Sequence, residues 1–425
     1  MSKSSLTLTD AIRNTLVVVL AGGRGSRLKQ LTHVQAKPAV PFAGKFRIID
    51  FALSNTVNSG FRQVGVLTQY HMHTLIQHVQ AGWGFLRAEF NEFIQVWPAQ
   101  QTMQTSEWYQ GTADAVYQNI DIIEAHKPKY ILILGGDHIY KQDYRILLEE
   151  HISRNADVSV CCVPVPRKEA SGFGVMDVDE TGRIAQFIEK PENPPTMPDD
   201  DTRSLASMGI YLFSADALTE QLRRDAVEAG SSHDFGKDLI PHMVPRLNVF
   251  AHRFTDSCVR RHKDDAPYWR DVGTVDAYWE ANMDLVSVTP DLDLYDRDWP
   301  IWTYQRQYPA AKFVFDDDER RGMAVDSLVS GGCIVSGSVV RRSLLYSDVR
   351  VHSYCTIEDS ILLPGCEVGR NCRLKKVIVG QNCTIPPNTV IGEDSVADAK
   401  HFFRTEEGVV LVSSDDLEKL ADENG

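Results

Sequence analysis

The segment TLVVVLAGGRGSRL, residues 15–28, indicates how the first part of this chain folds. Its apolar run, Thr15–Ala21, predicts a strand buried on both faces, because no polar residue interrupts it after Thr15. The glycines that follow allow backbone N–H groups to approach an anion closely, and Arg24 and Arg27 add positive charge. These residues favour a phosphate-binding loop over the simpler alternative, a tight turn without a ligand.

Two common phosphate-binding motifs are absent from this loop. A dinucleotide fingerprint that begins at Gly23 needs a glycine where the chain has Leu28, and a P-loop needs Gly-Lys-Ser/Thr at the end of the turn. We therefore expect neither a nicotinamide-dependent enzyme nor a P-loop ATPase. A short distance along the chain, Lys37 precedes Pro38 and is a candidate third cation beside the loop.

The overall composition narrows the class of protein further. The chain has 425 residues, of which 43% are hydrophobic, so two or three domains with sizeable cores are expected. A formal net charge of −14 argues against a general nucleic-acid-binding protein. The longest apolar run is too short to cross a bilayer, and the eight cysteines contain no C-x-x-C pair. We expect a cytoplasmic protein with reduced cysteines that binds neither nucleic acid nor a membrane.

Strands and helices alternate along the first two thirds of the chain. Apolar runs predict three further strands, and apolar residues at helical spacing predict two helices, the second with Thr112 as its N-cap. The strands are Gln63–Gln69, Tyr130–Leu134 and Val158–Val165, and the helices are Arg47–Ser59 and Thr112–His126. This order predicts an α/β domain over residues 10–290, with a parallel-rich sheet covered on both faces. Prolines and an acidic run then predict an ordered linker over residues 291–325.

From residue 326 onward, apolar residues repeat every six positions. Each break in phase is five residues long, as a one-residue deletion at a corner would give. This period favours a parallel β-helix over an antiparallel sheet, because simple alternation has no reason to keep a period of six. Cysteines inside the repeat are then small residues of the coil and not metal ligands. The repeat positions are Leu328, Ile334, Val340, Leu345, Val351, Ile357, Leu363, Val368, Leu374, Val379, Ile385 and Ile391, and the cysteines are Cys366, Cys372 and Cys383.

Carboxylates follow apolar segments at two places. Asp137 comes just after the predicted strand Tyr130–Leu134, where α/β sheets bind ligands, and Asp271 lies in the motif YWRDVGT. Both are candidates for Mg²⁺, which takes one or two carboxylates together with phosphate oxygens. An ordinary loop or N-cap carboxylate is the alternative for each one taken singly. We interpret His138 as a structural or surface histidine, because no third ligand has a matching spacing.

A second set of polar residues suits a sugar phosphate. Glu189 and Lys190 end an apolar stretch before a proline, so the lysine is a candidate for a second phosphate and the glutamate for sugar hydroxyls. A solvated strand end is the alternative. Ser207 and Asp234 are short polar side chains that also suit carbohydrate hydroxyls.

Eight motifs in this order resemble the bacterial glucose-1-phosphate adenylyltransferase (ADP-glucose pyrophosphorylase) family. The resemblance covers nearly the whole chain, and the glycine-arginine loop alone marks only sugar-phosphate nucleotidylyltransferases broadly. The motifs are LAGGRGSRL (20–28), AKPAVPFAGKFRIIDFALSN (36–55), WYQGTADAVYQN (108–119), LGGDHIYKQDY (134–144), IEKP (188–191), SMGIY (207–211), SSHDFGKDLIP (231–241) and YWRDVGT (268–274).

The resemblance implies a reaction, a fold and a set of site residues. It implies that ATP and α-D-glucose 1-phosphate give ADP-glucose and pyrophosphate with Mg²⁺, in a homotetramer of the glycogen pathway. The fold would be a Rossmann-like, mixed, mostly parallel sheet domain, followed by a left-handed parallel β-helix over residues 326–425 for regulation and assembly. By resemblance, the ATP phosphates would face Arg24, Arg27 and Lys37; nucleotide contacts would be Gly22, Gly23, Gln69, Tyr109, Gly111 and Thr112; glucose 1-phosphate would meet Gly174, Glu189, Lys190, Ser207 and Asp234; and metal ligands would be Asp137 and Asp271.

The resemblance also implies an allosteric site for small activators and inhibitors between the two domains. Arg47 is retained there, but relatives that respond to fructose 1,6-bisphosphate carry basic residues where this chain has Val34, Gln35, Asp348 and Gln381. We therefore expect an activator of lower charge, such as pyruvate or fructose 6-phosphate. Two other functions remain as alternatives: a nucleotidylyltransferase that uses UTP, dTTP or GTP, and a non-catalytic regulatory subunit. We exclude an acyltransferase, which a β-helix alone would suggest, because the nucleotide signature lies in the larger domain.

Overall fold

The structure is a computed structural model that describes residues 7–23, 25–99, 108–197, 200–262, 264–317 and 320–424. Arg24 of the predicted phosphate loop lies outside these residues. Within the same ranges, no helix combines the length and the apolar character that a membrane span requires.

The first part of the chain is built on one mixed sheet. Nine strands in the described ranges form it, in the order β7-β6-β8-β4-β1-β2-β3, with β5 paired to both β8 and β9. The central strands β4, β1, β2 and β3 are parallel, and β8 runs antiparallel beside β4. The strands are β1 Thr15–Leu20, β2 Gln63–Thr68, β3 Phe93–Pro98, β4 Tyr130–Gly135, β5 Val158–Pro166, β6 Gly174–Val178, β7 Ile184–Glu189, β8 Arg203–Ser214 and β9 Val249–Arg253.

The sheet is buried on both faces, as the apolar runs predict. Along β1, Val17 and Val19 pack into one hydrophobic cluster while Leu16 and Val18 pack into another on the opposite face. All four side chains are fully buried, which explains why this strand shows no polar alternation. The four predicted strands and the predicted fold class are confirmed.

Helices cover this sheet, and two further helices, α11 and α12, lie near the C-terminal end of the described residues. The predicted helix after residue 47 is confirmed as Ile49–Asn58. The helices are α1 Leu8–Arg13, α2 Ile49–Asn58, α3 Met72–Gly82, α4 Thr112–Tyr117, α5 Ile120–Ala125, α6 Tyr144–Ser153, α7 Ala215–Asp225, α8 Ile240–Met243, α9 Phe254–Ser257, α10 Val275–Asp284, α11 Ser395–His401 and α12 Ser414–Asn424.

One helix prediction is wrong in two respects. The segment predicted as a single helix, Thr112–His126, consists of α4 and α5 with a break at Gln118 and Asn119. The N-cap of α4 is Gly111 and not Thr112, and the Thr112 hydroxyl instead bonds to a distant loop. Helical spacing of apolar residues does not reveal a break at which both halves keep the same buried face.

The second part of the chain coils into a parallel β-helix. Its short strands stack in register in three sheets, and Val339, Thr356 and Arg373 follow one another at intervals of 17 residues. Three hexads with one residue deleted give this interval, so the phase breaks in the sequence mark corners of the coil. Each of the three repeat cysteines is buried with a free thiol.

The strands of the β-helix form three faces. One face has Lys312–Val314, Ile334–Ser336, Arg350–Val351, Glu367–Val368 and Thr384–Ile385; the next has Met323–Val325, Val339–Arg341, Thr356–Glu358, Arg373–Lys375 and Val390–Ile391; the third has Leu328–Val329, Leu344–Leu345, Ile361–Leu362, Val377–Val379, Val410–Val412 and the antiparallel Phe403–Arg404. Pairing therefore begins at Lys312, within the segment predicted as a linker. The division at residues 290 and 325 stays a prediction.

Helix α10 joins the two parts. The Tyr346 hydroxyl donates to Asn282 Oδ1 at 2.8 Å, and the Trp279 indole donates to the Asp359 carbonyl at 2.9 Å. Tyr278 and Tyr346 share one hydrophobic cluster, and the Tyr346–Asn282 hydrogen bond is buried within the same contact.

Candidate active site

The carboxyl ends of three adjacent parallel strands form one edge of the sheet. Gly22 follows β1, Gln69 follows β2 and Asp137 follows β4, so residues far apart in sequence lie around one cavity. The loops are tied together by backbone bonds, since Ala21 N–H donates to Leu67 O and Gly136 N–H to Leu20 O. This edge is where open α/β sheets bind ligands.

A cavity of about 700 Å³ opens at this edge. Its volume suits a nucleotide-sized ligand. Eleven of the residues predicted to form the site line it: Gly22, Gly23, Arg27, Lys37, Gln69, Tyr109, Gly111, Thr112, Asp137, Glu189 and Asp234.

Lys37 links the two predicted metal carboxylates. Its ammonium lies 2.9 Å from Asp137 Oδ2 and 2.8 Å from Asp271 Oδ1, and only 5% of the residue is exposed. Burial lowers the pKa of Lys37, but the two carboxylates outweigh burial and raise the pKa above its usual value. Burial raises the pKa of Asp137, but electrostatic interactions with His138 and Lys37 and the hydrogen bond from Lys37 reverse this and hold it well below its usual range. The lysine and the carboxylate are therefore both charged at neutral pH.

His138 belongs to the same group, although its sequence context was interpreted as structural. One ligand atom each from Asp137, His138 and Asp271 lies within 4.8 Å of the others. The imidazole Nδ1 is buried and has no hydrogen-bond partner among the described residues. The two carboxylates are oxygen donors of the kind that Mg²⁺ and Mn²⁺ prefer, whereas the imidazole is not a typical Mg²⁺ ligand, so the residues present fit Mg²⁺ through Asp137 and Asp271. The sequence search did not group His138 with the carboxylates, because it is adjacent to Asp137 and not part of a spaced motif.

Glycines keep the basic loop close to these carboxylates. Gly25 has a φ of +62°, and a Cβ there would lie 3.0 Å from Lys37 Cβ, so a larger residue would be strained and crowded. A Cβ at Gly273 would lie 3.0 Å from both Arg27 Nη2 and Asp271 Oδ1. A larger residue at position 273 would therefore crowd both the Arg27 guanidinium and the Asp271 carboxylate.

The opposite wall forms where two loops meet. The Thr112 hydroxyl donates to Asp234 Oδ2 at 2.9 Å and accepts from the Phe235 N–H at 3.0 Å. A Cβ at Gly111 would lie 2.2 Å from the His233 carbonyl oxygen, so only glycine permits this contact. Asp234 Oδ1 also accepts the N–H groups of Gly236 and Lys237, which caps the π-helix Phe235–Leu239. Both carboxylate oxygens of Asp234 are therefore bonded within the protein.

Glu189 occupies a slot made by two glycines. A Cβ at Gly174 would lie 2.8 Å from Glu189 Oε2, and one at Gly236 would lie 2.5 Å from the same oxygen. The Lys190 ammonium lies 3.2 Å from Glu189 Oε1, and its side chain is 64% exposed. Lys190 also has a φ of +46°, a strained conformation of the kind that clusters at functional sites. Neither Lys190 nor Ser207 lines the cavity itself, but Lys190 lies next to Glu189 and Ser207 next to Tyr211, and these two neighbours do line it.

Comparisons with known proteins agree with this geometry. The nucleotidyl transferase family model matches residues 16–288, and a GlmU-like C-terminal hexapeptide model matches residues 309–412. A protein of Nitrosospira multiformis named glucose-1-phosphate adenylyltransferase is 61% identical over 405 residues, which is 95% of each chain. Proteins of the same name from Paramagnetospirillum magneticum and Rhodospirillum rubrum are each 58% identical over 97–99% of both chains.

The chain belongs to the glucose-1-phosphate adenylyltransferase family. The resemblance found in its motifs is confirmed, and the chain is a nucleotidyltransferase of carbohydrate metabolism. The hexapeptide match also agrees with the predicted left-handed β-helix.

Several cavity residues of this family member were missed by sequence reasoning. Gly209 has a φ of +69° at an irregularity in β8, and this turn aims Tyr211 into the cavity, where it stacks on Phe235 at 5.6 Å between ring centroids. The motif SMGIY contains the first two of these residues, so its glycine was the available signal. Tyr70 and Gly236 also line the cavity, and nothing in their local sequence distinguishes them.

Arg47 lies apart from this cavity. Its guanidinium donates to the Ala39 carbonyl at 2.9 Å, and its backbone N–H donates to Asp50 Oδ2. Burial lowers the pKa of Arg47, and the positive charge of Arg306 lowers it further. Arg306 lies in the segment predicted as the linker, and its positive charge acts on Arg47 of the first domain.

Proposed function

We propose that the chain transfers the adenylyl group of ATP to α-D-glucose 1-phosphate, giving ADP-glucose and pyrophosphate for glycogen (α-glucan) synthesis. The observation that carries the proposal is the convergence of Arg27, Lys37, Asp137 and Asp271 at the sheet edge, beside the slot that holds Glu189. The names of the near full-length relatives support the same reaction.

The chemistry needs positive charge more than a proton acceptor. In the reaction a phosphate oxygen of glucose 1-phosphate attacks the α-phosphorus of ATP, and pyrophosphate leaves. A phosphomonoester has its second pKa near about 6, so the nucleophile is already largely dianionic at neutral pH. Catalysis must therefore bring two polyanions together and neutralise the charge that develops on the leaving group.

The residues divide this work between two phosphate sites. Backbone N–H groups of the glycine loop, with Arg27, Lys37 and by resemblance Arg24, would hold the ATP phosphates. Lys190 would hold the phosphate of glucose 1-phosphate, with Glu189, Ser207 and Asp234 around the sugar. Asp137 and Asp271 would hold Mg²⁺, which when bound neutralises phosphate charge. Gln69 would face the adenine, since its amide nitrogen is buried without a hydrogen-bond partner among the described residues.

Regulation and assembly form the second part of the proposal. We infer that the region around Arg47 and Arg306 binds an anionic metabolite in a cytoplasmic homotetramer. The hydrogen bond to Tyr308 is the largest of the effects that raise the pKa of Arg306. The negative charge of Asp348 adds a smaller effect in the same direction. A carboxylate at this place disfavours a highly charged ligand, which supports pyruvate or fructose 6-phosphate over fructose 1,6-bisphosphate.

Steady-state kinetics of the pure protein test the proposal. ATP, glucose 1-phosphate and Mg²⁺ should give ADP-glucose and pyrophosphate, and UTP, dTTP and GTP should be poor substitutes. Preference for another nucleotide would point to a different nucleotidylyltransferase, and no turnover with any nucleotide would point to a regulatory subunit. A panel of metabolites added to the same assay tests the activator, and a strong selective response to fructose 1,6-bisphosphate would contradict the regulatory part.

A further inference from the structure

The ammonium of Lys37 lies between the two carboxylates to which the proposed function assigns the metal. It is within 2.9 Å of Asp137 and 2.8 Å of Asp271. We infer that Lys37 prevents this carboxylate pair from binding a divalent cation in the free protein, so that metal binds tightly only together with a nucleoside triphosphate. The inference deepens the proposed function and rests on it for the identity of the nucleotide.

Charge explains why the ammonium competes with a metal. With Lys37 in place, the three side chains carry a net charge of −1, whereas the two carboxylates alone would carry −2. A divalent cation would therefore meet about half of the attraction, and it would have to replace two charge-assisted hydrogen bonds. Lys37 is 5% exposed, and the side chains of Asp137 and Asp271 are 36% and 25% exposed, so solvent screens these interactions only in part.

The position of Lys37 makes this competition persistent. The residue begins a 3₁₀ turn, Lys37–Ala39, in which Pro38 restricts the backbone, and its Cβ packs against Gly25. The backbone is thus fixed, and only the end of the flexible side chain can change partners. A triphosphate in the cavity offers the ammonium new anionic partners beside Arg27, since both side chains line the same cavity.

A second buried lysine provides a matched control. The Lys141 ammonium lies 3.2 Å from Asp296 Oδ2, and Lys141 is 4% exposed. This pair contains a single carboxylate and does not line the cavity. Loss of its ammonium changes the protein charge by the same amount as loss of the Lys37 ammonium.

Binding of Mn²⁺ alone, followed by electron paramagnetic resonance of the free ion at neutral pH without nucleotide, tests the inference. The wild-type protein should bind Mn²⁺ weakly, and Lys37→Met should bind one ion at least about tenfold more tightly, because a buried positive charge is removed. Lys141→Met should behave like the wild type. The double variant Lys37→Met/Asp271→Asn should lose the gain, because one of the two carboxylates is gone.

Three results would overturn the inference: tight Mn²⁺ binding by the wild type alone, no gain in Lys37→Met, or an equal gain in Lys141→Met. Should Lys37→Met fail to fold, Lys37→Gln keeps the test, and the rise in its melting temperature on adding Mn²⁺ should exceed that of the wild type. The measurement contains no substrate. An inactive protein with the expected metal binding would therefore contradict the proposed function alone, and an active one without the gain would contradict the inference alone.

Discussion

Charged side chains are buried at the sheet edge but lie on the surface along the strands of the β-helix. In the β-helix, buried positions are apolar or small, and ion pairs such as Arg342–Asp359 and Arg373–Glu393 lie on the surface. At the sheet edge, Lys37 is almost completely buried between carboxylates. Burying charge costs free energy unless each group is paired, so a fold keeps such a cluster only where it is fully satisfied or serves a ligand. The contrast indicates that the sheet edge serves a ligand and that the β-helix has a structural role.

The largest effect is expected from Asp137→Asn. The change removes a carboxylate next to Lys37, so we expect turnover of ATP and glucose 1-phosphate to fall by about 10³-fold, the range seen when one charge-stabilising group is lost. Steady-state kinetics measures the turnover, and circular dichroism checks that the fold is intact. The matched control Asp359→Asn, on the surface of the β-helix, should keep its turnover, and equal losses in both variants would break the comparison.

Ile357→Ala should act on stability instead of chemistry. Ile357 is fully buried in the coil, and its truncation leaves a cavity that should lower the free energy of unfolding by about 3 kcal/mol. Urea unfolding measures this change. If the two parts of the chain unfold separately, the change is expected in the transition of the β-helix. Turnover per folded molecule is expected to stay near that of the wild type, and a selective loss of turnover would show that the coil contributes directly to the chemistry.

His151 makes the stability of the sheet domain depend on pH. Burial lowers the pKa of His151 to about 4, while the Ser159 hydroxyl lies 2.9 Å from its Nδ1. The unfolded chain takes up a proton near pH 6.5 and the folded one only near pH 4, so stability is complete above pH 6.5 and falls as the pH drops between these values. The loss is about 3 kcal/mol.

Thermal or urea unfolding at several pH values measures the His151 contribution. His151→Gln should show a smaller decline in stability between pH 6.5 and pH 4 than the wild type. Parallel declines in both proteins would assign the acid sensitivity to other groups.

The smallest effect is expected from Lys190→Ala. The side chain is mostly exposed, so its loss should raise the KM for glucose 1-phosphate about tenfold and leave the KM for ATP nearly unchanged. Initial rates at varied concentrations of each substrate separate the two values. An equal rise in both would show that the two phosphate sites are not divided as proposed.

The predictability of each part from sequence depends on how local its signal is. The strand after Thr15 and the hexad repeat were predicted because burial imposes a period that the chain must keep. The break between α4 and α5 and the irregularity at Gly209 were not, because tertiary contacts set them. Asp137 and Asp271 were found through their motifs, but their shared partner Lys37 and their neighbour His138 became a group only in three dimensions.

Helix α10 lies next to the candidate metal carboxylate Asp271 and also contacts the β-helix. It begins at Val275, four positions after Asp271, and Thr274 fixes its first turn by accepting the Ala277 N–H. Trp279 and Asn282 of the same helix form hydrogen bonds with the β-helix. A small tilt of α10 would therefore change the distance between the Asp271 and Asp137 carboxylates, so this distance would depend on how the β-helix packs against the sheet domain.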